Sequence, residues 1–421
     1  MSRIDQPIKG LAPGVDVGAL RASLVDGPSL FGGAFTPPVM TLRRSALEHN
    51  VATMARYCRD RGVDLAPHGK TTMAARIFER QLAAGAWAMT VATPAQVAFC
   101  RSIGVPRVLL ANELLDEVTI AWLARELESD RGFEFLCYVD STEGVARLAR
   151  GAAGRERPFD VLVEVGFAGG RTGCRTVEQA LEVARAAETV PGVRVVGVAG
   201  FEGGIGTELT PPVLAAVDEF LGFLHATASE LVAAGVVAGP DGRAILSAGG
   251  SVFFDRAAEI LTRPLPGGAP SRCVLRSGCY ATHDSGFYER MSPFGRRAAL
   301  PGYTLLPALE VWAEILSTPE PRLALAGIGR RDVPFDLGLP VPLRLRPARG
   351  GERTLPGAAG SRVDALNDQH AFVALAPGVE ARPGDWMSFG ISHPCTAMDK
   401  WRVLAEVDDE DRVVGLIDTT F

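Results

Sequence analysis

The sequence predicts an α/β protein, with a parallel (β/α)₈ barrel of the TIM type followed by a C-terminal β domain. From about residue 60, short β-branched or apolar runs alternate with amphipathic stretches, a pattern that is typical of β/α units in a parallel sheet. After about residue 285, apolar runs continue without helical stretches between them. This change in pattern indicates an all-β second domain.

Eight runs are candidate strands of the barrel. Helices are predicted between them, most clearly where apolar residues recur with a period of 3.6 from Val213 to Leu231, and where Thr176 and Gln179 have capping-box spacing. Eight strands close most simply into a barrel, whereas a doubly wound open sheet more often stops at about five to seven. The predicted strands are 63–67, 87–92, 107–111, 133–139, 160–166, 194–200, 244–248 and 273–277.

The length of 421 residues exceeds what one core usually supports, so more than one domain is expected. We assign residues 1–35 to an N-terminal extension packed on the β domain, 36–284 to the barrel and 285–421 to the β domain. Strands of the β domain are expected at 309–316, 342–345, 371–375, 386–389 and 403–407.

Composition argues against several classes of partner. The net charge is -6 and no basic stripe with interleaved aromatic residues occurs, so a nucleic-acid partner has no electrostatic support. The seven cysteines show no C-x-x-C spacing, which indicates a reducing, cytoplasmic compartment. No export signal and no run of 18 apolar residues is found, so no membrane association is predicted. A small-molecule substrate is expected.

Residues that follow barrel strands are the first candidates for an active site, because barrel enzymes place theirs at the C-terminal ends of the strands. Lys70 follows the first strand and has His68 beside it. A lysine held at a strand end and partly desolvated can act as a Schiff-base nucleophile. The alternative is an ordinary solvated surface lysine.

Glycine-rich turns follow the seventh and eighth strands. Gly249, Gly250 and Ser251 form one turn, and Gly278 and Cys279 belong to the other. Barrels commonly hold a phosphate at these two positions, because glycine lets backbone N–H groups close around an anion. Each pair of glycines could also serve only to make a tight turn.

One residue separates His393 and Cys395 in the predicted β domain. On a strand, both side chains would point to the same face and could bind one metal ion. A core cysteine beside a structural histidine is the alternative.

Five segments occur in an order and at distances that match a known family. They are TPPVMTLRRSALEHNVATM, APHGKTTM, SAGGS, RSGCYATHD and SHPCTAMDKW. From about Thr36 to its C-terminus, the sequence resembles the metal-dependent D-serine dehydratases and D-threonine aldolases. These belong to the alanine-racemase-like, fold type III class of pyridoxal 5'-phosphate (PLP) enzymes.

The resemblance implies that Lys70 carries PLP and that the two glycine turns bind its phosphate. It also implies a partner for the pyridine nitrogen, for which Arg276 in Arg-x-Gly-x-x-Tyr and Arg171 are rivals. The residues assigned to cofactor binding are His68, Lys70, Arg171, Gly249, Gly250, Ser251, Arg276, Gly278, Cys279 and Tyr280.

The resemblance further implies that His393 and Cys395 coordinate Zn²⁺. The dehydratases carry His-x-Cys, as this sequence does, whereas the aldolases more often carry His-x-Asp, and thiolate suits zinc. The expected function is therefore that of a D-serine dehydratase, which converts a small D-3-hydroxy amino acid into a 2-oxo acid and ammonia. A homodimer is also implied. D-threonine aldolase, D-threo-3-hydroxyaspartate dehydratase and a non-catalytic PLP-binding protein are the alternatives.

Overall fold

The structure is a computed structural model that describes residues 7–24, 27–239, 241–295, 300–348, 351, 353–355 and 360–421. The chain divides into two compact units. The barrel unit comprises 54–70 and 81–278, and the β unit comprises 1–53, 71–80 and 279–421. None of the described helices is long and apolar enough to cross a membrane.

The helices and strands have the following bounds. The helices are α1 (Val17–Ser23), α2 (Arg44–Arg61), α3 (Ala75–Ala83), α4 (Pro94–Ser102), α5 (Glu117–Ser129), α6 (Thr142–Gly151), α7 (Val177–Glu188), α8 (Pro211–Ala233), α9 (Phe254–Leu261) and α10 (Phe287–Met291). The strands are β1 (Val39–Arg43), β2 (Asp64–Leu65), β3 (Met89–Val91), β4 (Arg107–Glu113), β5 (Glu134–Val139), β6 (Phe159–Val165), β7 (Val193–Gly200), β8 (Ala244–Ala248), β9 (Ser271–Leu275), β10 (Leu309–Glu320), β11 (Leu323–Ala326), β12 (Val341–Arg346), β13 (Arg353–Thr354), β14 (Arg362–Leu366), β15 (Ala371–Ala374), β16 (Trp386–Gly390), β17 (Val403–Val407) and β18 (Val413–Asp418).

The barrel unit contains one parallel sheet in the order β2-β9-β8-β7-β6-β5-β4-β3. The ends of this order are joined, because Thr90 N donates to Pro67 O at 2.9 Å and His68 forms a parallel bridge with Thr90. The sheet therefore curls into a TIM-like barrel. All eight predicted runs overlap these strands, so the predicted fold class is confirmed.

The interior of the barrel is filled by side chains from, or directly beside, every one of the eight strands. Side chains alternate between the two faces of a strand, so alternate residues of each strand can face this core. The members of this core are Ala66, Ala88, Leu109, Leu136, Tyr138, Leu162, Val196, Ala199, Ile245 and Val274.

Two helices of the barrel unit show why the crossover segments are helical. α7 begins after Thr176, whose hydroxyl accepts a hydrogen bond from Gln179 N at 3.2 Å. α8 opens with proline, which suits a position where no intrahelical N–H bond is made, and buries Val217, Leu221 and Leu224 on one face. Both helices were predicted from their caps or their periodicity.

The β unit is built on a mostly antiparallel sheet. Its order is β13-β12-β16-β10-β1-β17-β18, and the long strand β10 also pairs with β11, which continues through β15 to β14. Segments near the N-terminus pack on it, since Leu20, Leu30 and Phe35 share a buried cluster with Trp312 and Leu416.

The division of the chain differs from the boundaries assigned from the sequence. β1 lies in the segment assigned to the barrel, but Val39 pairs with Trp312 of β10 and Thr41 with Ala405 of β17. A five-residue apolar run shows that a strand forms, not which strand it pairs with.

Candidate active site

Lys70 lies in a short 3₁₀ turn just after β2, and its side chain is partly exposed. The chain contains only three lysines, Lys9, Lys70 and Lys400. In the β unit, Lys9 Nζ forms an ion pair with Asp332 at 3.0 Å, and Lys400 Nζ lies 3.7 Å from Asp399. Lys70 is therefore the one lysine of the barrel unit.

His68 lies beside Lys70 and among three positive charges. Its Nδ1 atom is buried without a hydrogen-bond partner among the described residues. Burial lowers the pKa of His68 well below its usual range, and the charges of Lys70, Arg276 and Arg171 lower it further. The imidazole is therefore neutral, and the three predicted cationic residues gather within electrostatic reach of it.

Arg276 is fixed inside the barrel. Only 6% of it is exposed, and its guanidinium donates to Ser247 Oγ at 2.7 Å and to Gly200 O at 2.5 Å. It also lies 5.8 Å from the centre of the Tyr138 ring. These contacts hold the guanidinium in one position, as a partner for a ring nitrogen or a phosphate requires.

Arg171, its rival, is exposed and lies over the Phe201 ring at 4.5 Å. Arg171 also lines a cavity of about 270 Å³ at the C-terminal ends of β6 and β7, with Glu164, Gly170 and Phe201 among the other lining residues. This cavity offers a cationic group beside a buried carboxyl group, which is the pairing that a zwitterionic ligand requires.

The predicted phosphate turn after β8 already binds a carboxylate. Gly249 N and Gly250 N donate to the two side-chain oxygens of Glu202 at 3.2 and 2.5 Å. Gly249 has φ +87°, a conformation that favours glycine, and Ser277 Oγ donates to its carbonyl at 2.9 Å. Burial raises the pKa of Glu202, while these backbone N–H groups and Arg276 oppose that shift.

The rest of the predicted phosphate site is divided between the two units. Ser251 and Gly278 lie in the barrel unit, and Cys279 and Tyr280 lie in the β unit, where Tyr280 is almost fully buried. Glu202 accepts the hydrogen bonds of the Gly249 and Gly250 amides. Which backbone N–H groups bind the PLP phosphate therefore stays a prediction.

A pair of buried carboxyl groups at the ends of β4 and β6 was not predicted. Both side-chain oxygens of Glu113 and Glu164 Oε2 are buried, and among the described residues these two carboxyl groups have no partner at those atoms other than each other. The Tyr138 hydroxyl is also buried without a hydrogen-bond partner among the described residues. Burial raises the pKa of Glu113 to about 9, and the contact with Glu164 and the charges of Glu164 and Asp140 act in the same direction. Glu113 therefore keeps a proton at neutral pH.

In the β unit, His393 and Cys395 lie on either side of Pro394, at the start of a 3₁₀ turn. Asp336 Oδ2 accepts from His393 Nδ1 at 2.7 Å, and Asp336 Oδ1 accepts from Thr396 Oγ1 at 3.1 Å. Thr71 Oγ1 lies 3.7 Å from Cys395 Sγ. The imidazole is thus oriented by a carboxylate, leaving Nε2 for another partner.

Cys279, predicted only for its backbone, brings its sulfur to this cluster. Its Sγ atom lies 3.2 Å from Cys395 Sγ. The contact with Cys279 lowers the pKa of Cys395 well below its usual range, and His393 and Thr71 add to this effect against the opposing effect of burial. Although burial lowers the pKa of His393, Cys395 and Asp336 raise it to about 9.

The residue types in this cluster suit zinc, but the described side chains are not positioned around one metal ion. Among the described residues, no group of three His, Cys, Asp or Glu side chains is positioned to hold a metal ion. Two donors have the required chemistry, because Cys395 favours the thiolate and His393 has the Nδ1 to carboxylate contact that accompanies most zinc-bound histidines.

Two family models match the chain. One, described as "Alanine racemase, N-terminal domain", covers residues 42–240, and the other, described as "Putative serine dehydratase domain", covers residues 308–407. Together these two matches support the alanine racemase-like, fold type III family of PLP proteins. The motif-based resemblance is therefore confirmed at the level of the family.

Three similar proteins illustrate the range of this family. A D-threonine aldolase from Arthrobacter sp. is 24% identical over 347 residues, which cover 82% of this chain and 81% of the aldolase. The structure of D-threonine aldolase from Filomicrobium marinum has 22% identity and a TM-score of 0.76, with 92% of this chain and 96% of that one covered. D-threo-3-hydroxyaspartate dehydratase from Delftia sp. HT23 has 21% identity and a TM-score of 0.71, with coverages of 91% and 97%.

Two features of the site were not predicted from the sequence, although the sequence contains a clear signal for one of them. The scarcity of lysine would have singled out Lys70 more strongly than its position after a strand does. The approach of Cys279 to Cys395 left no such signal, because the two residues are 116 positions apart and meet through loop geometry.

Proposed function

We propose that this protein is a PLP-dependent lyase that eliminates water from a small D-3-hydroxy amino acid, as a D-serine dehydratase does. The observation that carries the proposal is Lys70, the one lysine of the barrel unit, which together with Arg276 and Arg171 lowers the pKa of the buried His68. The relatives support the substrate class, since D-threonine and D-threo-3-hydroxyaspartate both carry a hydroxyl group on the β carbon.

PLP, when bound to a lysine amine, supplies an electron sink for negative charge at the α carbon of an amino acid. Lys70 Nζ is the amine in the barrel unit that can bond to the cofactor and afterwards accept the α proton as a general base. His68 adds no positive charge beside it, because its pKa is lowered.

The cationic residues of the barrel unit have a separate role. The charges of Arg276 and Arg171 both lower the pKa of His68, and we assign these two residues to the negative charges of the phosphate and the substrate carboxylate. Arg276 is buried and fixed by two hydrogen bonds, which makes it the better candidate for a constant cofactor contact. Arg171 is exposed beside the cavity, which suits a group that exchanges with solvent.

Zinc is the second cofactor of the proposal, held by His393 Nε2 and Cys395 Sγ. It would supply a Lewis acid for the β-hydroxyl group, because hydroxide is a poor leaving group. The chain's own contribution is that Asp336 orients the imidazole and that the contacts of Cys395 lower the pKa of its thiol, which favours the thiolate.

Retro-aldol cleavage is the second candidate, favoured by the similarity to D-threonine aldolases. In that reaction a base removes the proton of the β-hydroxyl group and the Cα–Cβ bond breaks, which releases the aldehyde. The α carbon keeps its own proton and gains a second one to give glycine. D-threonine distinguishes the two reactions. Cleavage gives glycine and acetaldehyde, whereas dehydration gives 2-oxobutyrate and ammonia.

A product screen of the purified protein with PLP and zinc tests the proposal. D-serine, D-threonine and the 3-hydroxyaspartate isomers are offered, and 2-oxo acid, ammonia, glycine and aldehyde are quantified. We expect 2-oxo acid and ammonia, their loss in Lys70→Ala and no loss in the matched Lys400→Arg control. Aldehyde and glycine as the only products would favour the aldolase. Bound cofactor without turnover would identify a non-catalytic PLP-binding protein.

We also propose a homodimer, as the resemblance implies. Light scattering of the protein at micromolar concentration should give twice the mass of the 44.5 kDa chain. A monodisperse monomer with full activity would overturn this assembly.

A further inference from the structure

We propose that Cys279 and Cys395 form a reversible oxidative modification site, at which a peroxide joins the two side chains in a disulfide bond. Both residues belong to the β unit. The formation of this bond does not depend on the proposed function. Its consequence does rest on the proposed zinc site, because a sulfur atom in a disulfide has no thiolate to offer to a metal ion.

The two sulfur atoms lie close to bonding distance. Cys279 Sγ and Cys395 Sγ are 3.2 Å apart, and neither residue is in a disulfide in this structure. A disulfide bond is about 2.05 Å long, so the sulfurs must approach each other by about 1.2 Å. Rotations about the Cα–Cβ bonds of the two cysteines can provide such a change.

Main-chain hydrogen bonds of the β unit bring the two cysteine-bearing segments together. Ser285 N donates to Ile391 O at 2.9 Å, and Phe287 N donates to Ser392 O at 3.0 Å. These bonds join the segment that follows the first cysteine to the segment that precedes the second. The contact between sulfurs that are 116 positions apart in the chain is therefore supported by the backbone of the fold.

One of the two sulfurs can be reached from solvent. All seven cysteines lie in the part of the chain that the structure describes, and Cys395 is the one among them that is not buried. Cys279 is 8% exposed. Cys395 is therefore the thiol that meets a peroxide first, and Cys279 is the resolving thiol beside it.

The reaction balances with hydrogen peroxide as the oxidant. The sulfur of Cys395 attacks one peroxide oxygen, the O–O bond breaks, and the products are a sulfenic acid and one water molecule. The sulfur of Cys279 then attacks the sulfur of Cys395, the S–O bond breaks, and the hydroxyl group leaves with the thiol proton as a second water molecule. The two sulfurs are oxidised and the peroxide is reduced. A dithiol reverses the bond by exchange.

The disulfide and the proposed zinc ion require the same sulfur atom of Cys395. Bound zinc should therefore protect the pair from oxidation, and the disulfide should prevent zinc from binding. In a reducing compartment, which the cysteine pattern predicts, a bond of this kind is transient and suits the sensing of an oxidant. Peroxide would then stop the metal-dependent reaction until the bond is reduced.

Peptide mapping of the oxidised protein tests the bond. The protein with PLP bound is stripped of metal, treated with a small excess of hydrogen peroxide, denatured, alkylated and digested without reductant. We expect a linked pair of peptides containing Cys279 and Cys395, two fewer alkylated cysteines than the seven of the untreated protein, and full recovery after dithiothreitol. Cys100→Ala, which alters a buried cysteine of the barrel unit, should form the same link. Cys279→Ser should leave Cys395 as an oxidised acid without a link.

One result would overturn the inference and leave the zinc site standing. It is the recovery of Cys395 from the oxidised wild type as sulfinic or sulfonic acid, with Cys279 alkylated. This result is obtained from the wild type, so it decides the matter even if Cys279→Ser fails to fold.

A second arm of the experiment tests the competition with zinc. The link should form about 100-fold more slowly when free zinc is about 100 times its Kd, because only the zinc-free fraction reacts. An unchanged rate in the zinc-loaded protein would overturn the shared use of Cys395, and with it the ligand role proposed for that residue. The link itself would still support the oxidative modification site.

Discussion

His393 Nδ1 donates to Asp336 Oδ2 at 2.7 Å, and this contact decides which imidazole nitrogen can face a metal ion. A histidine that binds metal through Nε2 commonly donates its other N–H to a carboxylate, which fixes the ring and strengthens the ligand. Asp336 has the further contact with Thr396 that holds its own orientation. It is therefore a positioning residue for the proposed metal site.

Replacement of this carboxylate should weaken metal binding without removing a ligand. We expect Asp336→Asn to lower zinc affinity by about 10- to 100-fold, because the amide orients the imidazole less strongly. Competition with a chromogenic chelator measures the affinity. Asp364→Asn, an exposed change elsewhere in the β unit, is the control. Equal affinities in the two variants would show that Asp336 serves His393 only structurally.

The carboxyl pair in the barrel should make stability fall as pH rises. In the folded protein the pKa of Glu113 is about 9, above the ordinary value of 4.5, so between these values the folded state keeps a proton that the unfolded chain has lost. Such a group opposes folding increasingly with pH, by at most ~1.4 kcal/mol per pH unit, and by less here because Glu113 is partly exposed.

Glu113→Gln tests this pH dependence. Urea unfolding midpoints at pH 5, 7 and 8.5 should fall less steeply with pH in the variant than in the wild type, with the largest gain in stability at pH 8.5. Glu182→Gln, which alters an exposed residue of α7, should follow the wild type. Parallel pH profiles for Glu113→Gln and the wild type would show that the pair does not hold the extra proton.

The turn after β8 should depend on Glu202. Both of its oxygens accept from the buried amides of Gly249 and Gly250, and a glutamine offers only one acceptor oxygen there. Glu202→Gln should therefore leave one N–H without a partner and lower the free energy of unfolding by about 1–3 kcal/mol. Urea unfolding measures this against Glu208→Gln, an exposed change nearby in sequence. A variant as stable as the control would contradict the role assigned to Glu202.

Most strands and helices of the barrel could be predicted because the residues that specify each of them are neighbours in the sequence. The strands of a parallel sheet are buried on both faces and appear as short apolar runs, and the helices carry caps such as Thr176. The pairing of β1 with β10 and β17 could not be predicted in this way. This pairing depends on which strands lie beside β1 after folding, and the five residues of β1 contain no signal that identifies those strands.

The same difference between local and long-range signals applies to the candidate site. Lys70, His393 and Cys395 stand out by residue type and position in the sequence. The contacts of Glu202 with Gly250, and of Cys279 with Cys395, join segments that are far apart in the chain. Such contacts depend on the loops between strands, whose conformations are set by tertiary packing and not by local propensity.

The most direct test of the account is to locate the cofactor by borohydride reduction followed by peptide mass mapping. Reduction fixes PLP to the amine that holds it, and the chain has only Lys9, Lys70 and Lys400 to offer. We expect the phosphopyridoxyl mass on the peptide containing Lys70, no labelled lysine in Lys70→Ala, and unchanged labelling in Lys9→Arg and Lys400→Arg. Stoichiometric label on Lys9 or Lys400 in the wild type would contradict the central claim.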